Sequence, residues 1–152
     1  MPHQIFSQTL IFVRGGGDLG SGVIYRLHKA GFPVVLLEQP TPTFVRRMVS
    51  FGEAVYSDSI TVEGVTSRLV RGLDGIGMAM HAGEVAVVVD PEGETLQMLT
   101  ATVVIDARME KRNPGTTLDD APLVIALGPG YTAGVDCHAV IETNRGHDLG
   151  RV

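Results

Sequence analysis

An α/β architecture, with a mostly parallel sheet flanked by helices and a more β-rich C-terminal part, is what the sequence predicts, and three observations predict it. The first forty residues read strand, helix, strand. Three later runs, "VAVVVD", "TVVIDA" and "PLVIALG", are short, apolar and uninterrupted, as strands covered on both faces should be. The closing stretch "GVDCHAVIET" alternates instead, with Val135, Cys137, Ala139 and Ile141 on one side and Asp136, His138, Val140 and Glu142 on the other, the period of a half-exposed strand. A chain of 152 residues, 44% hydrophobic and 19% charged, has enough material for one domain spanning 1–152.

The elements follow in order. "QTLIFVR" is a first strand, rich in β-branched and aromatic residues, that runs straight into glycines. From Leu19 the apolar residues Leu19, Val23, Leu27 and Ala30 recur at helical spacing, and Gly31 supplies a left-handed stop. "FPVVLLE" is the second strand and completes a βαβ unit, for which a right-handed crossover is expected. "TPTFVRRMVSFGEAVYS" reads as a short helix after its prolines and a short strand at "EAVY", with "SITVEG" a further strand. Val65, Leu69, Leu73, Ile76 and Met80 keep helical spacing, weakened by Gly72, Gly75 and Gly77.

Composition excludes several classes. One cysteine, Cys137, allows no internal disulfide framework and no CxxC metal site, so a reducing, cytoplasmic setting is expected. The N-terminus lacks the basic and cleavage features of a signal peptide, and no apolar run approaches the ~20 residues of a membrane span. A net charge of −5 argues against nucleic acid as a partner. Small-molecule ligands fit better, and the apolar content is sufficient for a homodimer.

The glycines carry the sharpest signal. Gly15, Gly17 and Gly20 fit G-x-G-x-x-G, with Gly16 between them, set between a predicted strand and a predicted helix. Glu38 closes the second strand eighteen positions after Gly20. This is the arrangement of a Rossmann-like dinucleotide site: Gly15 for the tight turn, Gly17 for close approach of a pyrophosphate, Gly20 for packing of helix on strand, and Glu38 for a ribose hydroxyl, which favours NAD over NADP. Arg14 precedes the glycines as a candidate phosphate contact. Asp18 and Leu19 complete the loop, Asp18 either as a helix cap or as a charge unwelcome to phosphate. Glycines needed only for packing are the plain alternative. No G-x-x-x-x-G-K-[ST] is present, which excludes a P-loop.

Two further clusters stand out. "DARMEKRNPGTTLDDAP" leaves a buried-looking strand and gathers Arg108, Lys111 and Arg112, cations suited to a phosphate or carboxylate if they lie at the strand ends near the glycines, or else paired with one another in a solvated loop. Asp136, His138, His147 and Asp148 form a weaker set for metal binding or proton transfer. Cys137 falls on the apolar side of its strand and reads as core. No metal ligand set and no catalytic constellation emerges from these residues.

Three stretches, "VRGGGDLGSGVIYRLHKAGFPVVLLEQP", "RRMVSFGEAVY" and "VVIDARMEKRNPGTTLDDAPLVIALGPGYTAGVDCHAVIETNRGHDLGRV", together resemble the accessory proteins of the selenium-dependent molybdenum hydroxylase system, a family similar in its Rossmann domain to the xanthine dehydrogenase maturation factors. Gly20-Ser21 departs from the alanine-threonine pair expected there, and the chain stops at "GRV" where such proteins continue. The resemblance implies a maturation factor or accessory protein that binds NAD or another nucleotide, or handles the molybdenum cofactor, with a molybdenum hydroxylase or its cofactor machinery as partner. It implies no catalytic mechanism. The competing classes are a small NAD-dependent oxidoreductase, with His138 or Lys111 as proton donor, and a nucleotide-sensing regulatory module.

Overall fold

The computed structural model describes residues 5–143. Eight strands form one sheet in the order β3-β4-β5-β2-β1-β6-β7-β8. The strands are β1 (Ile11–Arg14), β2 (Val34–Glu38), β3 (Ser59–Val62), β4 (Val65–Leu69), β5 (Val85–Val89), β6 (Val103–Asp106), β7 (Leu123–Leu127) and β8 (Ala139–Ile141). All neighbours pair in parallel except β3 and β4, which form an antiparallel hairpin at one edge. The run β5-β2-β1-β6-β7-β8 reproduces the doubly wound order in which chain direction across the sheet reverses beside the first strand. The fold is therefore α/β and Rossmann-like, with its topological switch point between β1 and β6.

Four helices cover the sheet: α1 (Asp18–Ala30), α2 (Ala54–Ser57), α3 (Gly72–His81) and α4 (Thr95–Met98). Burial of both faces explains why the central strands carry no alternation. Ile11, Val13, Leu36 and Ile105 pack with Ile24 of α1, Phe51 and Ala54 on one face. Phe12, Val35, Leu37 and Val104 pack with Ile76 and Ala79 of α3 and Leu96 of α4 on the other. Beyond α4 the described chain holds three strands and a short 3-10 turn at Leu118–Asp120, the β-rich character expected of it.

Several expectations need correction. "EAVY" is not a strand: its last three residues open α2, preceded by a 3-10 turn at Phe51–Glu53. The helix expected from Val65 begins only at Gly72, and Val65, Ser67 and Leu69 instead belong to β4. Residues 134–136 form a turn and Cys137 bridges back to Ala133, so the half-exposed strand shrinks to Ala139–Ile141. In α1 the inward side centres on Gly20, Ser21 and Ile24, leaving Leu19 and Ala30 exposed. Among the described residues no helix is long and apolar enough to cross a membrane.

Candidate functional site

The chain leaves β1 through Gly15, whose φ of 96° lies in the left-handed region where a side chain would be strained. Its N–H donates to the Leu37 carbonyl of β2 at 3.1 Å, and a Cβ on it would press at 3.0 Å on the backbone of Ala107 beyond β6. Gly16 lies over β2, where a Cβ would come within 2.5 Å of Leu36 Cδ2 and 2.8 Å of Gly52 N. Gly20 carries α1 against the turn, and a Cβ there would lie inside 3.0 Å of the Gly15 carbonyl oxygen. These three positions exclude side chains for reasons internal to the protein.

Gly17 differs. It is the N-cap of α1 in extended backbone that any residue adopts, and a Cβ there would meet only Phe44 Cδ1, at 3.9 Å. The N-cap residue itself offers no side-chain acceptor, and Asp18 Oδ1 accepts the Leu19 N–H at 3.1 Å. The remaining first-turn N–H groups, which lack helical acceptors, and the positive end of a 13-residue helix meet an open crevice of about 350 Å³. Residues 15–20, 41–45 and 107–110 line it together with Glu38 and Gln39. It lies beyond the C-terminal ends of β1, β2 and β6, the place where doubly wound folds bind ligands.

Glu38 ends β2 at 7% exposure. Its Oε2 accepts the Gly16 N–H and its Oε1 the Gln39 N–H, both at 2.8 Å, so each oxygen retains a lone pair for another donor. Burial raises its pKa above the usual carboxylate value, and the Gln39 and Gly16 N–H groups hold it back. Asp18, the first residue of α1, is not the cap. Its Oδ2 pairs with Arg46 Nε at 3.1 Å, which compensates its charge at the crevice mouth.

The basic cluster does not converge as its spacing suggested. Arg108 lines the crevice and binds Asp106 through both carboxylate oxygens, Nε to Oδ1 at 3.1 Å and Nη2 to Oδ2 at 2.6 Å, while Thr116 Oγ1 donates to Oδ2 at 2.5 Å. Burial alone would raise the Asp106 carboxyl; the Arg108 hydrogen bonds and charge, with the Thr116 hydroxyl, outweigh it and hold the pKa below the ordinary range. Lys111 and Arg112 are exposed and outside the crevice lining, their backbone packed against Gly130. Arg14 is also outside it: the parity of β1 sends its side chain to the face opposite α1, where Nη2 donates to the Pro91 carbonyl at 3.0 Å.

His138 Nδ1 accepts the Val124 N–H at 2.9 Å, which ties the ring to β7. Asp136 accepts the Thr132 N–H within its own turn. His147 and Asp148 lie outside the described residues, among which no group of three or more His, Cys, Asp or Glu residues converges as a metal site. Cys137 is fully buried in the core.

No protein-family model matches the chain, and no solved structure does. Over 151 residues the chain is 50% identical to a protein of Escherichia coli (strain K12) described as the uncharacterized protein YqeB. The match covers 99% of this chain and 28% of that protein, so the chain spans well under a third of its relative's length. The description names no ligand, partner or reaction.

Some of the site was not foreseen. Residues 41–45 form its outer wall, Phe44 packing over Gly52, and the prolines there gave no sign of that contact. Ser21 Oγ donates to the Gly16 carbonyl at 3.1 Å and accepts the Phe51 N–H at 2.8 Å, clamping the glycine turn to the 3-10 segment. The lone glycine of "SFGE" was the available signal: Gly52 N donates to the Gly16 carbonyl at 3.0 Å where a larger residue would strike Glu38.

Proposed function

We propose that the crevice binds the phosphate-bearing part of a nucleotide, with NAD as the leading candidate, in an accessory protein that helps mature a molybdenum-containing hydroxylase. The observation that carries the nucleotide reading is Gly17: a helix N-cap with no side chain of its own, whose side-chain-sized opening faces a crevice at the switch point. Phosphate oxygens there would accept the first-turn N–H groups that Asp18 Oδ1 does not hold. Glu38 supports a ribose with free hydroxyls, since its oxygens have acceptor capacity left and its charge opposes a 2′-phosphate.

The hydroxylase role is supported by the resemblance of the three sequence stretches to accessory proteins of that system. The crevice suits the phosphate of a pterin cofactor as it suits a nucleotide's; the described residues offer the molybdenum itself no ligand cluster. A turnover role is less well supported, because Lys111 lies outside the crevice lining and the His138 ring accepts a backbone N–H of β7.

Native mass spectrometry of the purified protein, then calorimetric titration with NAD, NADP, ATP and a pterin phosphate, tests the reading. NAD should bind more tightly than NADP, and Gly17→Val should weaken it about tenfold or more while circular dichroism stays native. A folded Gly17→Val protein that binds NAD as before would refute the phosphate site. Affinity purification should recover a molybdenum hydroxylase; recovery of none, with NAD reduced by a small substrate, would favour an oxidoreductase.

A further inference from the structure

An ion pair joins two walls of the crevice across its mouth. Residues 41–45 form the outer wall, and Arg46, the next residue, reaches to Asp18 at the start of α1, Nε to Oδ2 at 3.1 Å. Asp18 Oδ1 accepts the Leu19 N–H at 3.1 Å. A carboxylate of the protein thus sits at the helix start as an anion, held by a backbone N–H and a guanidinium. A ligand phosphate in the crevice would call for the same kinds of partner.

The charges along the crevice give this pair its importance. Asp18, Glu38 and Glu110 line it, and Arg108, the cation among the lining residues, is committed to Asp106 through Nε and Nη2. A phosphate entering unaided would meet a net negative lining, which opposes it. The compensating cation has to come from the rim, where Arg46 and its neighbour Arg47 are the candidates. Arg47 gives Nε and Nη2 to Glu53, at 2.9 and 2.5 Å, and its guanidinium lies over the Tyr56 ring. Arg46 gives up only Nε, and its two Nη groups have no partner among the described residues.

The base of this side chain is fixed while its head is free. The Arg46 carbonyl accepts the Ser50 hydroxyl at 2.6 Å and the Val49 N–H at 3.3 Å, and Ser50 is fully buried. The Arg46 side chain itself is 73% exposed. An ion pair so open to water contributes little to stability, so the guanidinium can leave Asp18 for a better acceptor at small cost.

We infer that Arg46 is the phosphate-binding side chain of the glycine crevice, and that Asp18 is the built-in anion it exchanges for the phosphate of the ligand. The inference rests on the nucleotide reading and deepens it. Affinity for the pyrophosphate group is set by competition between a carboxylate of the protein and the ligand, with one guanidinium as the shared partner.

NAD and inorganic pyrophosphate, which has no ribose, are the probes, titrated by calorimetry into the wild-type chain and into Arg46→Gln, Arg46→Lys, Arg47→Gln, Asp18→Asn and Gly17→Val. Arg46→Gln should weaken both probes about fivefold or more, whereas Arg47→Gln, the same change of net charge one residue along, should alter them less than about twofold. Arg46→Lys keeps the charge without the fork and should recover part of the loss. Asp18→Asn keeps an acceptor for the Leu19 N–H but gives up the competing charge, so it should tighten both probes about threefold. Circular dichroism should stay native throughout, because both partners of the pair reach solvent. The exchange is wrong if Arg46→Gln does no more than Arg47→Gln, if its loss is confined to NAD, or if Asp18→Asn weakens the probes; loss of binding in Gly17→Val would then leave the crevice reading standing alone. A wild-type chain that binds neither probe overturns both.

Discussion

Alanine at Gly20 and alanine at Gly17 should behave in opposite ways, although both glycines belong to one motif. An alanine within a helix normally gains up to about 1 kcal/mol over glycine. At Gly20 the new Cβ would enter inside 3.0 Å of the Gly15 carbonyl oxygen and 3.2 Å from the Ala107 Cβ. Neither neighbour can swing aside: Gly15 is held at φ 96° by its bond to Leu37, and Ala107 by its N–H to the Arg14 carbonyl at 2.8 Å. Overpacking of this kind costs about 3 kcal/mol. After the propensity gain the net loss is about 2 kcal/mol, which for a domain of this size lowers Tm by roughly 4–8 °C. At Gly17 the Cβ enters open space, and the weaker cap is offset by the smaller entropy of the unfolded chain, so the change should stay within about 0.5 kcal/mol. Urea unfolding followed by far-ultraviolet circular dichroism measures both. Equal destabilisation by the two substitutions, or a gain at Gly20, would refute the assignment of Gly20 to packing and Gly17 to an opening.

Asp106→Asn should cost about 3–5 kcal/mol in urea unfolding, because it leaves the nearly buried Arg108 guanidinium without its charge partner, and Thr116→Val about 1–2 kcal/mol. Because the folded pKa of Asp106 is depressed, its stabilisation is present above the unfolded value of about 3.9 and is lost as pH falls through the folded one; Asp106→Asn should flatten that acid limb. Glu38 has the opposite sign: its raised pKa makes the folded protein take up the proton first, so acidification should weaken NAD binding, and Glu38→Gln should remove that dependence and narrow the preference over NADP. Phe51→Ala should cost about 3–5 kcal/mol, since Phe51 is 1% exposed beneath the glycine turn, and a loss under 1 kcal/mol in thermal unfolding would contradict its place in the core.

The βαβ unit was legible almost residue by residue, because a continuous apolar strand, a glycine turn and a glycine stop are all local signals. Val65 and Leu69 misled for an arithmetical reason: a spacing of four satisfies the strand period of two as well as the helical one, and Ser67, buried against the Phe51 carbonyl, hid the strand's inward side. "EAVY" has strand-forming residues in a helix that packs Ala54 inward, so tertiary contact overrode propensity. The crevice was legible in its glycines and Glu38, whose roles depend on backbone. The direction of Arg14 was not, because Ile11, Phe12 and Val13 are all buried and leave no alternation from which to read its face. Arg108 was found as a cation, but its partner is the aspartate two residues earlier, a contact made by the bend of the chain as it leaves β6.

The register of β1 has a consequence for how the molecule is made. Ile11 pairs with Val34 on one side and with Val103 on the other. During synthesis the first partner emerges soon after β1, and the second only about ninety residues later, roughly 5–20 s at ordinary elongation rates. For that interval a strand destined for full burial presents a bare edge, short, uncharged before Arg14 and rich in β-formers. The half of the sheet up to β5 can assemble in the meantime, but it stays sticky along β1 until β6 arrives. Conditions that slow elongation should therefore raise the aggregated fraction of nascent chain more than they alter the finished protein.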